Sequence, residues 1–222
     1  AVYEGFKDKL GLTILEGYGL TETSPVTNLC RPEEQRRGSV GMPIIDVHER
    51  IVDENENDLP SGEDGEIRIS GPNIMKGYYN LEEETALAFD SKGYFKTGDM
   101  GQLDEDGFLY ITGRIKEMLI IGGENVFPRE IEEVLTNHRD VIAAGVVGRS
   151  DASRGEVAVA FVELVEGATF DEQALRSWCR KSIAPFKVPK SITALDELPR
   201  NPTGKIMRRE LVGMVAKKEV AK

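Results

Sequence analysis

The sequence predicts an α+β protein, in which a part rich in β-strands precedes a compact α+β domain. Two observations predict this class. Apolar and polar residues alternate at 46–53 and again at 66–70, which is the period of a strand with one buried face. From position 116 onward, apolar strand-like runs alternate with stretches of helical period. Strands and helices in that alternation fit one domain of ordinary size.

The first part is predicted to contain a β-hairpin and a short helix. The strands of the hairpin are Asp46–Asp53 and Glu66–Ser70, and the turn-forming residues Pro60-Ser61-Gly62 separate them. A short helix is predicted at Glu82–Phe89. Asp106-Gly107 is a favoured hairpin pair that precedes a further strand, so we expect a small β subdomain in this region.

The second part is predicted to begin with a strand and a helix. Lys116–Gly123 is typical of a strand that ends in a Gly-Gly turn. Pro128 is typical of the first position of a helix, because the missing amide of proline would be unpaired there in any case. In that helix Ile131, Val134 and Leu135 share one face, which predicts its contact with the core.

Two more strands and a second helix follow. The strands are expected near Val141–Val147 and Val157–Leu164. Thr169 and Glu172 have the spacing of a capping box, in which two side chains bond the free amides at a helix start. The helix that they open is predicted to carry an apolar stripe with a tryptophan as core anchor; its members are Leu175, Trp178 and Cys179.

Composition and charge exclude several classes of protein. Hydrophobic residues make up 40% of the 222 residues and charged residues 30%, the balance of a globular protein and not of a disordered one. The formal net charge of -11 argues against nonspecific binding to nucleic acid, because most of the surface would repel a polyanion. Basic residues gather near the end, which would suit an anionic ligand there; they are Lys181, Lys187, Lys190, Arg200, Lys205, Arg208 and Arg209.

The cysteines, the histidines and the hydropathy pattern indicate where the protein is located and which catalytic classes lack support. Cys30 and Cys179 are far apart in sequence, so no disulfide framework is implied and we predict a cytoplasmic protein. No run approaches the roughly 20 apolar residues that span a bilayer, so we predict no transmembrane segment. Peripheral membrane contact and a homodimer stay as alternatives. His48 and His138 have no partners at metal-ligand spacing, and motifs of hydrolases, zinc enzymes and dithiol redox proteins do not occur.

Four short islands indicate nucleotide chemistry: YGLTE at 18–22, TGD at 97–99, GRIKE at 113–117 and NPTGK at 201–205. Each combines glycine, which lets backbone approach a ligand closely, with charged or hydroxyl groups that bind ribose, phosphate or magnesium. In their order and separations they resemble the adenylate-forming (AMP-binding) superfamily of acyl-CoA ligases, peptide-synthetase adenylation domains and beetle luciferases. The resemblance covers nearly the whole chain.

The resemblance implies two domains and a longer protein. Residues 1–113 would be the C-terminal part of the large AMP-binding domain, including a β subdomain. Residues 114–222 would be the small mobile C-terminal domain, with a hinge near Lys116. Enzymes of this superfamily also carry an upstream phosphate loop that ends in Pro-Lys-Gly, and this sequence contains no such loop. We therefore expect a C-terminal fragment that does not turn over by itself.

The resemblance also implies a site for ATP. Tyr18 would offer a flat face to the adenine, and backbone near it would contact the edge of the base. Thr21 would donate its hydroxyl to a phosphate oxygen, and Glu22 would be a ligand of Mg²⁺. Asp99 would accept hydrogen bonds from both ribose hydroxyls, and Arg114 would support the same sugar. The backbone neighbours of the adenine would be Glu16, Gly17 and Gly19.

The last island and the hinge imply the reaction itself. Attack of a carboxylate on the α-phosphate of ATP brings two anions together, so the reaction needs a cation. In the superfamily the lysine that matches Lys205 bridges the carboxylate and the α-phosphate. A swing about Lys116 would then present the opposite face of the small domain, where Gly122, Gly123 and Glu124 would border the pantetheine channel of CoA.

The resulting hypothesis is a ligase that converts a carboxylate and ATP into acyl-AMP and then transfers the acyl group to CoA. Three stretches resemble medium- and long-chain acyl-CoA synthetases and favour a fatty acid as the substrate: Gly19–Pro25, Gly71–Asn80 and Leu198–Leu211. Aryl-CoA or malonyl-CoA ligases have nearly the same endings and stay as alternatives. An adenylation domain that loads a carrier protein is an alternative with another acceptor. A noncatalytic nucleotide-binding or interaction module is a further alternative, against which the intact candidate site argues.

Overall fold

The structure is a computed structural model that describes residues 2–220, with side chains for residues 6–216. The chain divides between Lys116 and Glu117 into two compact units, each with its own core. Both units combine helices and strands, which confirms the predicted α+β class. Within the described residues, no helix has both the length and the apolar character needed to cross a bilayer.

The first unit begins with a helix and a small sheet. Helix α1 covers Val2–Leu10, and the antiparallel strands β1 (Gly17–Tyr18), β2 (Asn28–Leu29) and β3 (Met42–Pro43) follow. A single 3₁₀ turn at Thr21–Thr23 lies between β1 and β2 in sequence. The first island therefore begins on a strand and continues into this turn.

A four-stranded antiparallel sheet forms the larger layer of the first unit. Its strands are neighbours in chain order: β4 (His48–Val52), β5 (Gly65–Ser70), β6 (Phe95–Leu103) and β7 (Leu109–Arg114). The predicted hairpin is confirmed, because β4 and β5 pair antiparallel along the whole of β4. The predicted short helix is confirmed as α2 (Glu82–Leu87), between β5 and β6 in sequence.

Alternation along β5 separates the core of this sheet from its polar face. Ile67 and Ile69 are fully buried and pack with Ile51 of β4 and Leu109 of β7. Because successive side chains of a strand point to opposite faces, Arg68 lies on the other side of the sheet. The hairpin predicted from this alternation therefore has one apolar face and one polar face.

Strand β6 contains a bulge at the second island. The register between β5 and β6 shifts there, so that residues 97–99 lie opposite Ile67 alone. Gly98 in the bulge has a φ of +69°, in the region that favours glycine because a Cβ would be strained. Bulges commonly re-aim a side chain, and this one sets the direction of Asp99.

The sheet of the second unit is built around two long strands. Strands β10 (Val141–Asp151) and β11 (Gly155–Leu164) pair antiparallel, and β12 (Ser191–Leu195) pairs parallel with β11. The short strands β8 (Leu119–Ile121) and β9 (Glu124–Val126) form a hairpin that joins the sheet at the start of β11. The strands predicted in this part are confirmed, but β8 begins at Leu119 and not at Lys116, because Ile115–Glu117 forms a 3₁₀ turn.

Helices cover both faces of this second sheet. Helices α3 (Pro128–Thr136) and α4 (Glu172–Ser182) pack on one face and α5 (Arg208–Val220) packs on the other. Ala160 of β11 belongs to the cluster with α3 and α4, whereas its neighbour Phe161 belongs to the cluster with α5. A strand buried on both faces needs apolar residues at successive positions, which is why β11 has so few polar ones.

The start of α4 corrects one prediction. Asp171 and not Thr169 caps this helix, since its Oδ1 accepts a hydrogen bond of 2.9 Å from the amide of Ala174. Glu172 is engaged elsewhere, because its Oε1 accepts a hydrogen bond of 3.1 Å from the amide of Ile192 on β12. A cap by a single aspartate leaves the glutamate free to tie α4 to the sheet.

The apolar stripe of α4 is confirmed. Leu175 and Cys179 are buried, and Trp178 is half-buried. The indole Nε1 of Trp178 donates a hydrogen bond of 2.8 Å to the carbonyl oxygen of Val134 on α3. Because its ring also contacts His138 edge to face, Trp178 anchors α4 against α3.

Candidate functional site

The first island forms a close turn after β1. A Cβ at Gly19 would lie 1.7 Å from the carbonyl oxygen of Pro25, so only glycine fits at that position. Thr23 is fully buried, and its hydroxyl donates to the carbonyl oxygen of Leu20 at 2.9 Å and accepts from the Leu20 amide at 2.8 Å. The turn is therefore fixed internally, and the side chain of Thr21 is left exposed.

The strand before this turn presents backbone at the surface. Glu16 and Gly17 are exposed, and the carbonyl oxygen of Glu16 accepts a hydrogen bond of 2.9 Å from the amide of Cys30. Tyr18 is half-buried and packs beside the core of the four-stranded sheet. The exposed residues are held by the sheet and not by their own side chains.

Tyr18, Asp99 and Arg114 converge in the first unit, although the first two are 81 positions apart. Asp99 is 3% exposed; its Oδ2 accepts a hydrogen bond of 2.7 Å from the Tyr18 hydroxyl, and its Oδ1 lies 2.9 Å from Nε of Arg114. Burial, and next the charge of Asp99, raises the pKa of Tyr18, so the phenol stays a donor. The side chain of Arg114 is 59% exposed, which places a cation at the surface beside the carboxylate.

Thr97 fixes the backbone just before Asp99. Its hydroxyl donates a hydrogen bond of 2.7 Å to the carbonyl oxygen of Ile67 and accepts one of 3.0 Å from the amide of Asp99. The first bond joins the bulge of β6 to β5, and the second lies within the bulge. The threonine of the TGD island therefore serves to orient the aspartate.

Glu22 has one carboxylate oxygen engaged and one available. Its Oε1 accepts a hydrogen bond of 3.0 Å from the Tyr78 hydroxyl. Its Oε2 accepts no hydrogen bond from the described residues. Mg²⁺ commonly takes one or two protein carboxylates, with phosphate and water as its other ligands, so this oxygen fits the predicted role. No group of three or more His, Cys, Asp or Glu side chains suited to a metal occurs within residues 2–220.

Lys205 ends a loop that one asparagine organises. Oδ1 of Asn201 accepts hydrogen bonds from the Thr203 amide at 3.1 Å, the Thr203 hydroxyl at 2.8 Å and the Lys205 amide at 2.9 Å. The side chain of Lys205 is exposed, and its ammonium forms no ion pair with any described residue. The Asn-Pro and Gly of the NPTGK island predict a tight turn that presents the lysine, and the three hydrogen bonds to Asn201 confirm that turn.

The turn between β8 and β9 lines a cavity of about 460 Å³ in the second unit. Gly122 donates its amide to the carbonyl oxygen of Arg154 at 2.8 Å, and Glu124 and Phe186 also line this cavity. Gly123, the other glycine of the turn, is exposed. Two of the three residues predicted for CoA, Gly122 and Glu124, therefore line a cleft, and Arg154 and Phe186 line it without having been predicted.

A cationic cavity of about 250 Å³ shares Arg154 with this cleft. Arg176, Arg180 and Lys190 also line it, and Asp151 is an acidic residue in its wall. Guanidinium and ammonium groups around a small cavity suit phosphate oxygens. Of these cations only Lys190 belongs to the predicted basic set. The three arginines are far apart in sequence and come together only because α4 packs beside the start of β11.

Part of the predicted basic set stabilises the fold instead. Each of these cations forms an ion pair with a glutamate: Lys187 with Glu130 at 2.7 Å, Arg200 with Glu163 at 2.9 Å and Arg208 with Glu132 at 2.6 Å. Such pairs reduce the positive charge that is available to a ligand. The clustering of basic residues in sequence therefore overstates the size of the cationic surface.

The predicted site residues occupy distinct places in the two units. Tyr18, Asp99 and Arg114 are in contact in the first unit, and Thr21 and Glu22 follow Tyr18 in its turn. Gly122–Glu124 and Lys205 lie in different loops of the second unit. Lys116 is exposed in a short 3₁₀ turn, Ile115–Glu117, at the junction of the two units in sequence.

Two family models match the chain. The model of the AMP-binding enzyme matches residues 1–79, and that of the AMP-binding enzyme C-terminal domain matches residues 130–205. The chain is 44% identical to 2-succinylbenzoate–CoA ligase of Geobacillus kaustophilus over 97% of its own length and 44% of that protein. It is 42% identical to long-chain-fatty-acid–CoA ligase of Bacillus subtilis over 95% of its length and 38% of that protein.

Solved structures share the fold over the same extent. ATP-bound MatB from Rhodopseudomonas palustris matches with a TM-score of 0.88 and 37% identity, over 94% of this chain and 42% of that one. O-succinylbenzoate CoA synthetase from Bacillus subtilis, in complex with its acyl-adenylate intermediate, matches with a TM-score of 0.83 and 36% identity, over 95% and 43%. The chain thus spans less than half the length of these relatives. It belongs to the adenylate-forming (AMP-binding) superfamily.

Proposed function

We propose that this chain is part of an acid–CoA ligase that works in two steps. In the first, a carboxylate oxygen attacks the α-phosphorus of ATP, the bond to the bridging oxygen breaks, and acyl-AMP and pyrophosphate form. In the second, the CoA thiol loses its proton and attacks the acyl carbon, so that AMP leaves and acyl-CoA forms. The Tyr18–Asp99–Arg114 cluster carries the proposal, because a buried carboxylate beside an exposed cation suits a ribose next to a phosphate.

The first unit would bind the nucleoside. Each oxygen of Asp99 has a second lone pair beyond those used by Tyr18 and Arg114, and both can accept hydrogen bonds from ribose hydroxyls. The ring of Tyr18 lies beside the adenine in this proposal, with the backbone of Glu16, Gly17 and Gly19 along the edge of the base. Arg114 supports the sugar from the surface.

Charge neutralisation would come from a metal ion and a lysine. Mg²⁺ supplies Lewis-acid stabilisation of the phosphates when it is bound, and Glu22 is its candidate protein ligand. Thr21 donates its exposed hydroxyl to a phosphate oxygen. Lys205 meets the carboxylate and the α-phosphate with a cation that has no counter-ion among the described residues.

The second unit would also serve CoA. The Gly122-Gly123-Glu124 turn borders the cleft proposed for pantetheine, and the cavity with Arg176 and Arg180 adjoins that cleft. A phosphate of CoA fits this cationic cavity by charge. We further propose that residues 114–222 form a mobile domain that turns about Lys116, since Lys205 and the glycine turn lie in different loops and serve different steps.

The proposed acid substrate is a lipophilic carboxylate. A medium- or long-chain fatty acid is our first candidate, because three stretches of the sequence resemble synthetases for such acids. The names of the relatives specify acids as different as 2-succinylbenzoate, sulfoacetate and a long-chain fatty acid. Cys30 and Cys179 are free and buried, which fits the proposed cytoplasmic location.

The test is ATP/pyrophosphate exchange by the protein expressed from the complete open reading frame that encodes this chain. Acetate, octanoate, palmitate, benzoate and 2-succinylbenzoate are compared as substrates. Lys205→Ala should lower exchange by about 100-fold or more, because it removes the cation that stabilises the developing charge. Lys181→Ala, which removes another exposed lysine of the same unit, should leave exchange unchanged.

Either of two results would contradict the proposal. Exchange that survives in Lys205→Ala would remove the assigned cation from the mechanism. No exchange with any of the acids would favour the noncatalytic nucleotide-binding module instead.

A further inference from the structure

We propose that Glu66 is a positioning residue of the nucleotide site, which holds the bulge that carries Asp99 through the amide of Gly98. The inference rests on the proposed role of Asp99 as the acceptor for the ribose hydroxyls. Glu66 does not touch the ligand in this proposal and acts through the backbone.

Glu66 connects the bulge of β6 to β5. Its Oε1 accepts a hydrogen bond of 3.2 Å from the amide of Gly98, and its Oε2 lies 2.8 Å from Nη2 of Arg68. The side chain of Glu66 is 17% exposed, so water competes weakly for both of its oxygens. The carboxylate of Glu66 thus links the bulge of β6, through Gly98, to Arg68 on β5.

The bulge creates the need for this acceptor. Residues 97–99 lie opposite a single residue of β5, so the Gly98 amide has no ladder partner there. A backbone amide without a partner is costly when it is shielded from water, and Glu66 supplies the acceptor. With the bond from the Thr97 hydroxyl to Ile67, there are two tethers at the positions just before Asp99.

Arg68 holds Glu66 in one orientation. Arg68 is 5% exposed, and its Nε and Nη1 have no hydrogen-bond partner among the described residues. The ion pair between Nη2 and Glu66 offsets part of the cost of burying the guanidinium. Because Arg68 is confined to the face of β5, its partner carboxylate is confined as well.

Accurate placement matters for a carboxylate that accepts from two hydroxyls. A binding group that is displaced by about 0.5 Å or by 10–20° no longer has productive geometry. A loose bulge would leave Asp99 present but misaligned, which lowers its preference for ribose without removing the site. The sensitive readout is therefore the ratio of kcat/KM for ATP to kcat/KM for 2′-deoxy-ATP, since an enzyme that is merely less stable keeps this ratio.

The experiment uses two double variants of the protein from the complete open reading frame. Glu66→Gln with Arg68→Met keeps an acceptor for the Gly98 amide and removes both buried charges. Glu66→Leu with Arg68→Met removes the acceptor as well. Each pair replaces the charges by side chains of similar size, so the two proteins differ mainly in the bond to Gly98.

We expect the glutamine pair to keep the nucleotide preference of the wild type within about twofold and the leucine pair to lose about fivefold to tenfold of it, as for a lost buried hydrogen bond. Equal preference in the two double variants would overturn the inference. If the leucine pair does not fold, Glu66→Asp takes its place, because it keeps a charge for Arg68 and shortens the reach to Gly98. An unchanged preference in Glu66→Asp would overturn the inference too.

The wild type and Asp99→Asn separate this inference from the proposed function. If the wild type prefers ATP by at least about tenfold and Asp99→Asn loses the preference, the ribose role stands and only the role of Glu66 is under test. If the wild type has no preference, or Asp99→Asn keeps it, the ribose role itself fails and the inference fails with it.

Discussion

Replacing Glu49 by glutamine should stabilise the chain at neutral and higher pH, because Glu49 carries a carboxylate that the fold shields from water. Oε1 of Glu49 is buried without a hydrogen-bond partner among the described residues, and Oε2 accepts a hydrogen bond of 3.1 Å from Nδ2 of Asn28 on β2. Burial raises the pKa of Glu49 from 4.5 to about 7, although the bond from Asn28 opposes the rise. Asn28 pairs with Tyr18 across β1 and β2, so this carboxylate lies behind the candidate site.

The sign of the effect follows from the two protonation states. Glu49 binds its proton more tightly in the folded chain than in the unfolded chain. The stability that this bound proton contributes is therefore fully present below pH 4.5. It is lost as the pH rises from about 4.5 to about 7 and stays lost above that. At about 1.4 kcal/mol per pH unit, the whole difference is on the order of 3 kcal/mol. Glutamine cannot ionise and still accepts from Asn28, so Glu49→Gln should be more stable than wild type by about 1–3 kcal/mol at pH 8.

Urea unfolding followed by circular dichroism, at several values between pH 4.5 and pH 8, measures this difference. Glu63→Gln is the matched control, because Glu63 is exposed and its substitution should leave the pH dependence unchanged. A Glu49→Gln chain that is no more stable than the wild type at pH 8 would refute the reasoning. A free energy of unfolding that rises between pH 4.5 and pH 7 in the wild type but not in the variant would also refute it.

Three further predictions concern the two units. Tyr18→Phe removes the donor to Asp99 and should lower the free energy of unfolding by about 1.5–3 kcal/mol in a urea titration, the range for a hydrogen bond to a charged group. Gly19→Ala should abolish ATP binding in a titration calorimeter, because a Cβ there would lie 1.7 Å from a carbonyl oxygen and displace the turn. Arg208→Ala leaves the shielded carboxylate of Glu132 without its cation and should lower the free energy of unfolding by about 3 kcal/mol.

Matched variants control each of these measurements. Tyr79→Phe removes a hydroxyl from a side chain that is 90% exposed and should have no effect, so an equal loss in both tyrosine variants would contradict the first prediction. Gly213→Ala places a methyl group in open space on a helix and should be neutral or stabilising. Arg209→Ala removes an exposed cation, and a loss as large as that of Arg208→Ala would show that the ion pair between Arg208 and Glu132 is not the cause.

Local patterns predicted most of the elements. The alternation at 46–53 and 66–70 predicted the β4–β5 hairpin, and Pro128 marked the first residue of α3. The stripe on α4 was equally visible, with Leu175 and Cys179 now buried. These signals work from sequence because strand and helix periods express which face of a short segment is apolar, and that depends only on near neighbours.

Capping and charge pairing were less predictable. Thr169 had the spacing of a cap, but Asp171 took the position while Glu172 bonded β12. Several basic residues near the end looked available for an anion, whereas Arg208 is paired with Glu132 from α3. Such choices depend on which partner lies nearby after packing, and a distant partner outweighs a local preference when both groups are shielded from water.

The sequence by itself determined which residue types belong to the candidate site: the glycines, Asp99, Arg114 and Lys205 in their islands. Only the tertiary structure decided that the Tyr18 hydroxyl would meet Asp99, that Glu66 would hold the bulge, and that a cationic cavity would form beside the glycine turn. The reason is physical. An island specifies which groups a residue can bind. The strength of that interaction depends on distance and on shielding from water, and both are set by strands and helices that are distant in sequence.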